Sequence, residues 1–228
     1  MYIVSIKIYH GSDKIIKKPQ FGLGKTYNDY GQGFYCTYDI QMAKEWGVGY
    51  EQNGYANCYE FDDEDLSILD LNSKEYCMLH WLGILLENRI FDMPSVLAAE
   101  AKVYIRENFH VDYENYDVIV GYRADDSYFS FAQDFINGTI SYRQLCNAMH
   151  LGKLGLQYVL KSEKAFERIS YLDYEIAKSN EWYVRKINRD KKARREYFDV
   201  ERNKREIGDI YITNILDEEM RWYDARLR

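Results

Sequence analysis

The stretch GQGFYCTYDIQMAKEW, residues 31–46, decides how the rest of this chain is interpreted. Two glycines stand directly before an aromatic pair, and Trp46 closes the amphipathic segment that follows. Residues 33–37 are typical of a short strand, and Asp39 is a suitable cap for a helix through the rest of the stretch. Either these aromatic rings pack in a core, or Tyr35 and Trp46 face each other across a pocket for a flat, electron-poor ring.

The composition is that of a globular protein with one substantial core. The 228 residues are 46% hydrophobic and 29% charged, and they include 23 tyrosines but only two prolines. The formal net charge of −7 argues against nucleic acid or an anionic membrane as the partner of the whole molecule. The net charge does not exclude a local basic patch, and residues 185–205 are locally basic.

The cysteines and histidines have no metal-binding spacing. None of the four cysteines forms a C-x-x-C pair, and the four histidines are equally scattered. We therefore expect reduced thiols in a cytoplasmic protein, and no metal site. The N-terminal apolar run is too short to span a membrane, and no later segment is long enough, so no membrane association is expected.

The hydrophobic pattern predicts the positions of strands and helices, with Ser95 and Ser141 as helix caps. Strands are predicted at residues 2–9, 33–37, 56–62, 66–71, 116–126 (where the strand runs into a polar turn), 156–162 and 169–172. Helices are predicted at residues 39–47, 74–91, 95–108 and 163–170, in a pair broken at Asn137 and Gly138, and after Thr213.

The character of the chain changes near residue 173. The densely charged sequence from residue 175 predicts a long helix, which opposite charges three or four residues apart would support. We divide the chain into a core domain, residues 1–172, and a charged helical C-terminal extension, residues 173–228. The basic part of this helix is either a solvated face or a surface that docks a target, and its aromatic residues indicate that one side packs on the core.

The segment Tyr9-His10-Gly11-Ser12 has two interpretations. In the first, the first strand ends here, with a glycine turn and a histidine at the rim. In the second, the segment binds a ligand. Glycine would let the ligand approach the backbone, while the His10 and Ser12 side chains would bind sugar hydroxyls.

Two later segments also have two interpretations each. Gln157 interrupts an apolar strand, and it faces either water or a cleft in which it would bind a ligand hydroxyl. Asp125 and Asp126 follow another strand, where they either cap backbone N–H groups or belong to a site. Arg123 beside them is suited to a phosphate group.

Taken in order, these segments resemble the ADP-ribosyltransferase fold, in the branch of the poly-ADP-ribose polymerases and diphtheria toxin. Where that branch has a His, Tyr and Glu triad, this chain has His10, Tyr35 and Gln157. Trp46 stands where the branch has its second nicotinamide-stacking ring. The chain is more similar still to an uncharacterised bacterial, toxin-like family with YHGS, a D-[FY]-G-x-G-F-Y-x-T segment (here beginning at Asp29) and a glutamine in the late strand.

The resemblance implies an α+β fold with a split antiparallel β-sheet core, flanking helices and a helical C-terminal extension. It also implies that NAD binds as a substrate across the split. Gly11 would hold the nicotinamide carboxamide, and Tyr35 and Trp46 would stack on its ring. The residues that the resemblance assigns to NAD binding are His10, Gly11, Ser12, Tyr35, Thr37, Trp46 and Gln157.

The implied activity is mono-ADP-ribosylation of a macromolecule by the toxin of a bacterial toxin–antitoxin pair. The acceptor would be a protein or nucleic acid, and a cognate antitoxin protein would be a partner. Gln157 can orient a ribose hydroxyl, but it is neutral and cannot act as a general base. Three explanations are open. The negative charge that a catalytic glutamate would supply comes from a carboxylate elsewhere in the chain, or it comes from the acceptor. In the third, the domain binds NAD or another nucleotide without turnover and acts by docking a partner. The accessory residues considered are Asp29, Arg123, Asp125 and Asp126.

Overall fold

The computed structural model describes residues 5–153 and 155–228. Within these ranges the chain forms seven strands and eight α-helices, which confirms the expected α+β class. The strands are β1 (Ile6–Ser12), β2 (Phe34–Cys36), β3 (Gly54–Phe61), β4 (Ile68–Asp70), β5 (Val118–Tyr122), β6 (Leu156–Leu160) and β7 (Ile169–Ala177). The helices are α1 (Ile40–Gly47), α2 (Met78–Asn88), α3 (Val96–Asn108), α4 (Asp126–Ile136), α5 (Tyr142–Ala148), α6 (Glu163–Glu167), α7 (Ser179–Asp199) and α8 (Ile212–Asp217).

The strands form two separate sheets. The first has three antiparallel strands in the order β1-β3-β7, and the second has four strands in the order β2-β6-β5-β4. β4 pairs with β5 in parallel, so the expectation of an entirely antiparallel core is wrong for this strand. A parallel pair requires a long crossover connection, and α2 and α3 lie between these two strands in the chain.

The two sheets meet where β1 passes β2. The backbones of Tyr9 and Thr37 exchange two hydrogen bonds there, of 2.8 and 2.9 Å. This contact brings the YHGS segment next to the GFYCT segment, although 25 residues separate His10 from Tyr35 in the chain. The YHGS and GFYCT motifs therefore lie side by side in the fold.

Short polar side chains begin three of the helices at the predicted residues. The Asp39 carboxylate accepts a hydrogen bond from the Gln41 backbone N–H at 2.8 Å, at the start of α1. Ser95 and Ser141 cap α3 and α5 in the same way. Each side chain satisfies a backbone donor that the first helical turn leaves without a partner, which confirms these three predictions.

Two strands extend further toward the C-terminus than predicted. β1 continues through Ser12, which pairs with Tyr55 of β3, so the strand does not end at residue 10. β7 continues to Ala177, and the helix predicted from residue 175 begins only at Ser179. The strand crosses the predicted domain boundary at residue 172, and the division into two domains stays a prediction. The strand can contain charged residues because its residues 172–176 are exposed.

One side of α7 packs on the rest of the protein, as its aromatic residues indicate. Trp182, Ala193 and Tyr197 are buried, and the Tyr197 hydroxyl donates to the Asp134 carboxylate at 2.6 Å. None of the helices in the described ranges is long and apolar enough to cross a membrane.

Candidate functional site

Most of the residues singled out in the sequence meet at one open cavity of about 1200 Å³, where β1 lies beside β2. Its walls also include the loop before β2, the end of α1, the end of β5 and one side of α7. A second cavity of about 630 Å³ contains none of these residues. The proposed residues that line the first cavity are His10, Gly11, Ser12, Asp29, Tyr35, Trp46, Arg123, Asp125 and Gln157.

Two proposed residues are placed differently. Thr37 is buried and does not line the cavity, and its hydroxyl accepts a hydrogen bond from the Asp39 N–H at 3.2 Å. It therefore supports the start of α1, and its role beside a nicotinamide ring stays a prediction. The side chain of Asp126 lies outside the described residues, so its role also stays a prediction.

His10 is held in one orientation and one protonation form. Its Nδ1 lies 2.7 Å from the Tyr35 carbonyl oxygen, and its ring stacks on Phe34 with 4.3 Å between centroids. A carbonyl can only accept, so Nδ1 carries a proton, and in the neutral ring Nε2 keeps a lone pair. Burial lowers the pKa of His10, although the bond to the Tyr35 carbonyl opposes this shift. The neutral ring can therefore accept a hydrogen bond from a hydroxyl group through Nε2.

The lowered pKa of His10 predicts a loss of stability in mild acid. The unfolded state takes up a proton at a higher pH than the folded state, so this contribution is complete above the ordinary pKa of 6.5 and decreases as the pH falls below it. The loss approaches about 1.4 kcal/mol for each unit by which folding lowers the pKa. We expect urea unfolding between pH 7.5 and pH 5 to show a smaller decrease for His10→Asn than for the wild type. Equal decreases would contradict the burial of a neutral His10.

Gly11 is required by the packing of β1 against α1. A Cβ atom at this position would lie 2.0 Å from the Ala43 carbonyl oxygen and 2.7 Å from the Cβ of Trp46. No side chain fits there without moving the helix, so a local packing reason accounts for the glycine. Whether its backbone holds a carboxamide stays a prediction.

The Gly31-Gln32-Gly33 turn wraps around the Tyr35 hydroxyl. This hydroxyl donates to the Gly31 carbonyl at 2.6 Å and accepts from the Tyr30 N–H at 3.1 Å. Gly31 has φ of 71°, a left-handed conformation that favours glycine. The Lys161 ammonium group fixes the same turn through the Tyr30 and Gln32 carbonyl oxygens, at 2.7 and 2.8 Å. Burial raises the pKa of Tyr35 well above its usual range, so its phenol stays neutral.

Trp46 carries a guanidinium group on one face of its ring. The Arg123 guanidinium carbon lies 4.4 Å from the ring centroid, a cation–π geometry. The Trp46 indole N–H is buried and has no hydrogen-bond partner in the described chain. A nicotinamide ring that stacked on Trp46 would therefore use the face opposite Arg123, unless Arg123 moved.

Gln157 is bonded to a buried carboxylate. It is 3% exposed, and its Nε2 donates to Asp29 Oδ2 at 2.8 Å. Asp29 is 6% exposed and also accepts from the Ala124 N–H at 2.8 Å and from Arg89 at 2.7 Å. Burial raises the pKa of Asp29, and these hydrogen bonds oppose the shift. Since every partner is a donor, the arrangement fits the ionised carboxylate.

The loop before β2 positions Asp29 beside Gln157. Its neighbour Tyr30 is fully buried, and the Tyr30 hydroxyl donates to the Tyr122 carbonyl at the end of β5, at 2.7 Å. β5 is hydrogen-bonded to β6, where Gln157 pairs with Gly121. A Cβ on Gly121 would lie 2.1 Å from the Tyr30 hydroxyl, so glycine is needed for this close approach.

Asp125 does not cap the helix that follows it. It occupies the N-cap position of α4, but its side chain accepts no capping hydrogen bond. Its Oδ2 lies 3.6 Å from Arg189 of α7, and its Oδ1 is buried without a partner in the described chain. The capping interpretation is therefore wrong for Asp125, which faces the cavity instead.

Two residues that line the cavity, Arg89 and Arg189, were not identified as site residues from the sequence, and neither was Glu45, which pairs with Arg189. Arg89 follows α2 and holds Asp29, whereas Arg189 of α7 donates to Glu45 of α1 at 2.7 Å. This bond raises the pKa of Arg189, although burial opposes the shift. No local sequence motif marks Arg89 as a site residue. The ion pair between Glu45 and Arg189 joins residues 144 positions apart, so no local motif indicates it either.

The cavity is positively charged on an acidic protein. Among the described residues that line it, seven are basic and four acidic, whereas the whole chain has a net charge of −7. This excess favours an anionic ligand. The basic lining residues are Lys14, Lys18, Lys25, Arg89, Arg123, Lys186 and Arg189, and the acidic ones are Asp13, Asp29, Asp125 and Asp190.

A family model described as "Protein of unknown function (DUF3990)" matches residues 6–174. The chain belongs to this family. No curated protein and no solved structure matches it. The matched range includes Asp29, Gln157 and Arg123 but ends before Arg189, so α7 adds its part of the cavity wall from outside the family model. No group of side chains in the described chain is suited to hold a metal ion.

Proposed function

We propose that this chain is an NAD-dependent ADP-ribosyltransferase that acts on a macromolecule. The observation that carries the proposal is the single cavity into which His10, Tyr35, Trp46 and Gln157 converge from distant parts of the chain. These are the residues to which the resemblance assigns NAD binding and catalysis. The division into two sheets that meet at β1 and β2 is also suited to a split ADP-ribosyltransferase-like core.

The chemistry needs a bound sugar and a stabilised positive charge. The bond between C1′ of the ribose and the nicotinamide nitrogen breaks, and nicotinamide leaves as a neutral molecule. An acceptor nucleophile then bonds to C1′ and loses its proton. His10 Nε2 accepts from a ribose hydroxyl of the adenosine side, and the leaving ring stacks on the face of Trp46 opposite Arg123. Gln157 Oε1, which has no partner in the described chain, orients the other ribose.

Asp29 supplies the carboxylate that Gln157 lacks. The developing positive charge on the ribose is stabilised by nearby negative charge, most effectively in a site that excludes water. Asp29 is the carboxylate that contacts Gln157, and its charge polarises the amide through the 2.8 Å hydrogen bond. Arg89 offsets part of that charge on the other oxygen. This choice replaces Asp125 and Asp126 as the preferred source of the charge.

Transfer of label from radiolabelled NAD to a macromolecule in bacterial lysate tests the proposal. We expect label to appear with the wild type and to fall at least 10-fold with Gln157→Ala, because one hydrogen bond to the reacting sugar is lost. Gln41→Ala, which changes an exposed glutamine on α1, serves as the matched control. Treatment with protease or nuclease then identifies the class of acceptor. No label with the wild type, or equal label with Gln157→Ala, would overturn the transferase proposal.

The second candidate is a nucleotide-binding module that acts by docking a partner. The neutral side chain at position 157 favours it, because this residue cannot act as a base. Growth arrest on expression in bacteria separates the two, since a toxin enzyme needs Gln157 and a docking module does not. Arrest that survives Gln157→Ala would support docking, whereas arrest that is relieved by this change, and by an antitoxin encoded beside the gene, would support an enzymatic toxin.

A further inference from the structure

Arg123 lies at the wall of the cavity and has no anionic partner among the side chains that the structure describes. In the part of the chain that the structure describes, its side chain forms no hydrogen bond and no ion pair, and its Nη1 is buried. Arginine is rarely enclosed unless its charge is paired. The Trp46 ring under the guanidinium group does not satisfy its N–H donors.

The neighbouring acidic groups whose side chains the structure describes do not pair with Arg123. Asp29, Glu45 and Asp125 affect Arg123 electrostatically, but none lies within ion-pair distance of it. Asp29 is engaged by Arg89, and Glu45 is engaged by Arg189. Burial lowers the pKa of Arg123, as expected for a cation that lacks a close partner.

Arg189 provides a second guanidinium group at the same cavity. Its Nε is bonded to Glu45, but its Nη1 is buried and without a partner in the described residues. Arg123 comes from the end of β5 and Arg189 from α7, so the two cations approach from different elements. Buried groups with unused donors are rare in native structures, and an anionic ligand between the two arginines would satisfy these donors.

We propose that Arg123 and Arg189 form a binding site for the diphosphate group of a nucleotide ligand. The guanidinium group presents paired donors that match phosphate oxygens, and two such groups suit two linked phosphates. The basic excess of the lining has the required sign, and a cavity of about 1200 Å³ can hold a dinucleotide. The assignment to the diphosphate of NAD rests on the proposed function, whereas the diphosphate site itself does not.

Calorimetric titration with inorganic pyrophosphate and with ADP-ribose tests this site. We expect Arg123→Met to weaken the binding of both ligands at least 10-fold, because charge-assisted hydrogen bonds are lost. Arg185→Met is the matched control, since Arg185 also lies over a tryptophan ring, that of Trp182 at 4.5 Å, but outside the cavity. It should bind both ligands as tightly as the wild type.

The stability of the free protein separates a ligand-binding arginine from a structural one. Arg123→Met removes an enclosed charge without a partner, so the unliganded variant should melt at the same temperature as the wild type or at a higher one. ADP-ribose should then raise the melting temperature of the wild type and of Arg185→Met but not that of Arg123→Met. If Arg123→Met does not fold, Arg123→Gln is measured in the same way. A variant that melts lower and still binds would show a structural arginine and overturn the proposal.

The experiments distinguish an error in the diphosphate-site proposal from an error in the transferase proposal. Pyrophosphate binding that depends on Arg123, without any release of nicotinamide from NAD, would support the site and overturn only the transferase. Nicotinamide release with undiminished ADP-ribose binding by Arg123→Met would overturn only the site. Absence of binding by the wild type at millimolar pyrophosphate and ADP-ribose would also overturn it.

Discussion

Replacing Asp29 by Asn should lower the rate of nicotinamide release from NAD about 100-fold, the effect expected when one preorganised electrostatic group is removed. Asp29 accepts from three donors, Gln157, Ala124 and Arg89, and an Asn side chain has a single acceptor oxygen for them. We expect the loss in kcat rather than in KM, because in the proposed mechanism Asp29 acts through Gln157 and does not bind NAD itself. Arg89 also loses its carboxylate partner, and the loss of this charge-assisted hydrogen bond should cost about 2 kcal/mol in urea unfolding.

Asp13→Asn is the control for this change, because Asp13 lines the same cavity but is exposed. It should retain wild-type kcat. A sharper test moves the charge from position 29 to position 157. Gln157→Glu alone places two carboxylates side by side, which should impair both folding and turnover at neutral pH. In Asp29→Asn with Gln157→Glu, the Asn amide can donate to the new carboxylate, and activity should return in part. A double variant no better than either single one would contradict the role of Asp29.

Replacing Trp46 by Ala should weaken NAD binding at least 10-fold, measured as KM for nicotinamide release. The proposed mechanism stacks nicotinamide on the face of Trp46 opposite Arg123, and a stacked aromatic pair with a cationic partner contributes about 1–2 kcal/mol. The other face of the same ring contacts Arg123, so Trp46→Ala should also weaken binding at the proposed diphosphate site. Trp46→Phe keeps an aromatic face and should retain most of the affinity.

Trp222→Ala is the matched control, since Trp222 is 47% exposed and lies outside the cavity. Unchanged KM is expected for this variant. If Trp46→Ala and Trp222→Ala both bind NAD as the wild type does, the nicotinamide ring does not stack on Trp46.

The local parts of the fold could be predicted from the sequence. Asp39, Ser95 and Ser141 begin helices because each side chain bonds to a backbone N–H two or three residues later, which is visible in any short window. The length of β7 could not be predicted in this way. Its last residues are exposed and charged, so their pattern resembles the start of a charged helix, and only pairing with β3 makes them a strand.

The site could be predicted only in part for the same physical reason. His10, Tyr35 and Gln157 occupy distinctive local motifs, and the structure places all three at one cavity. The groups that set their electrostatics lie far away in the chain. Asp29 is 128 residues from Gln157, and the bond between them depends on the docking of a buried loop that no local pattern describes.

The two glycines before Tyr35 illustrate how a motif can have a structural cause. Gly31 adopts a left-handed conformation, and a Cβ on Gly33 would lie 2.7 Å from a methyl group of Val159. Both requirements come from the turn and from β6, without any ligand. The same turn nevertheless positions Asp29 and Tyr35 at the cavity, so the structural and functional interpretations of this segment are compatible.

Free nicotinamide, quantified after incubation of the purified wild-type protein with NAD, tests the central claim most directly. His10→Ala and Gln157→Ala are measured in parallel, with lysate added as a source of acceptor in a second series. We predict release by the wild type and at least a 10-fold decrease in both variants. No release by the wild type in either series, or equal release by all three proteins, would contradict the claim that this cavity cleaves NAD.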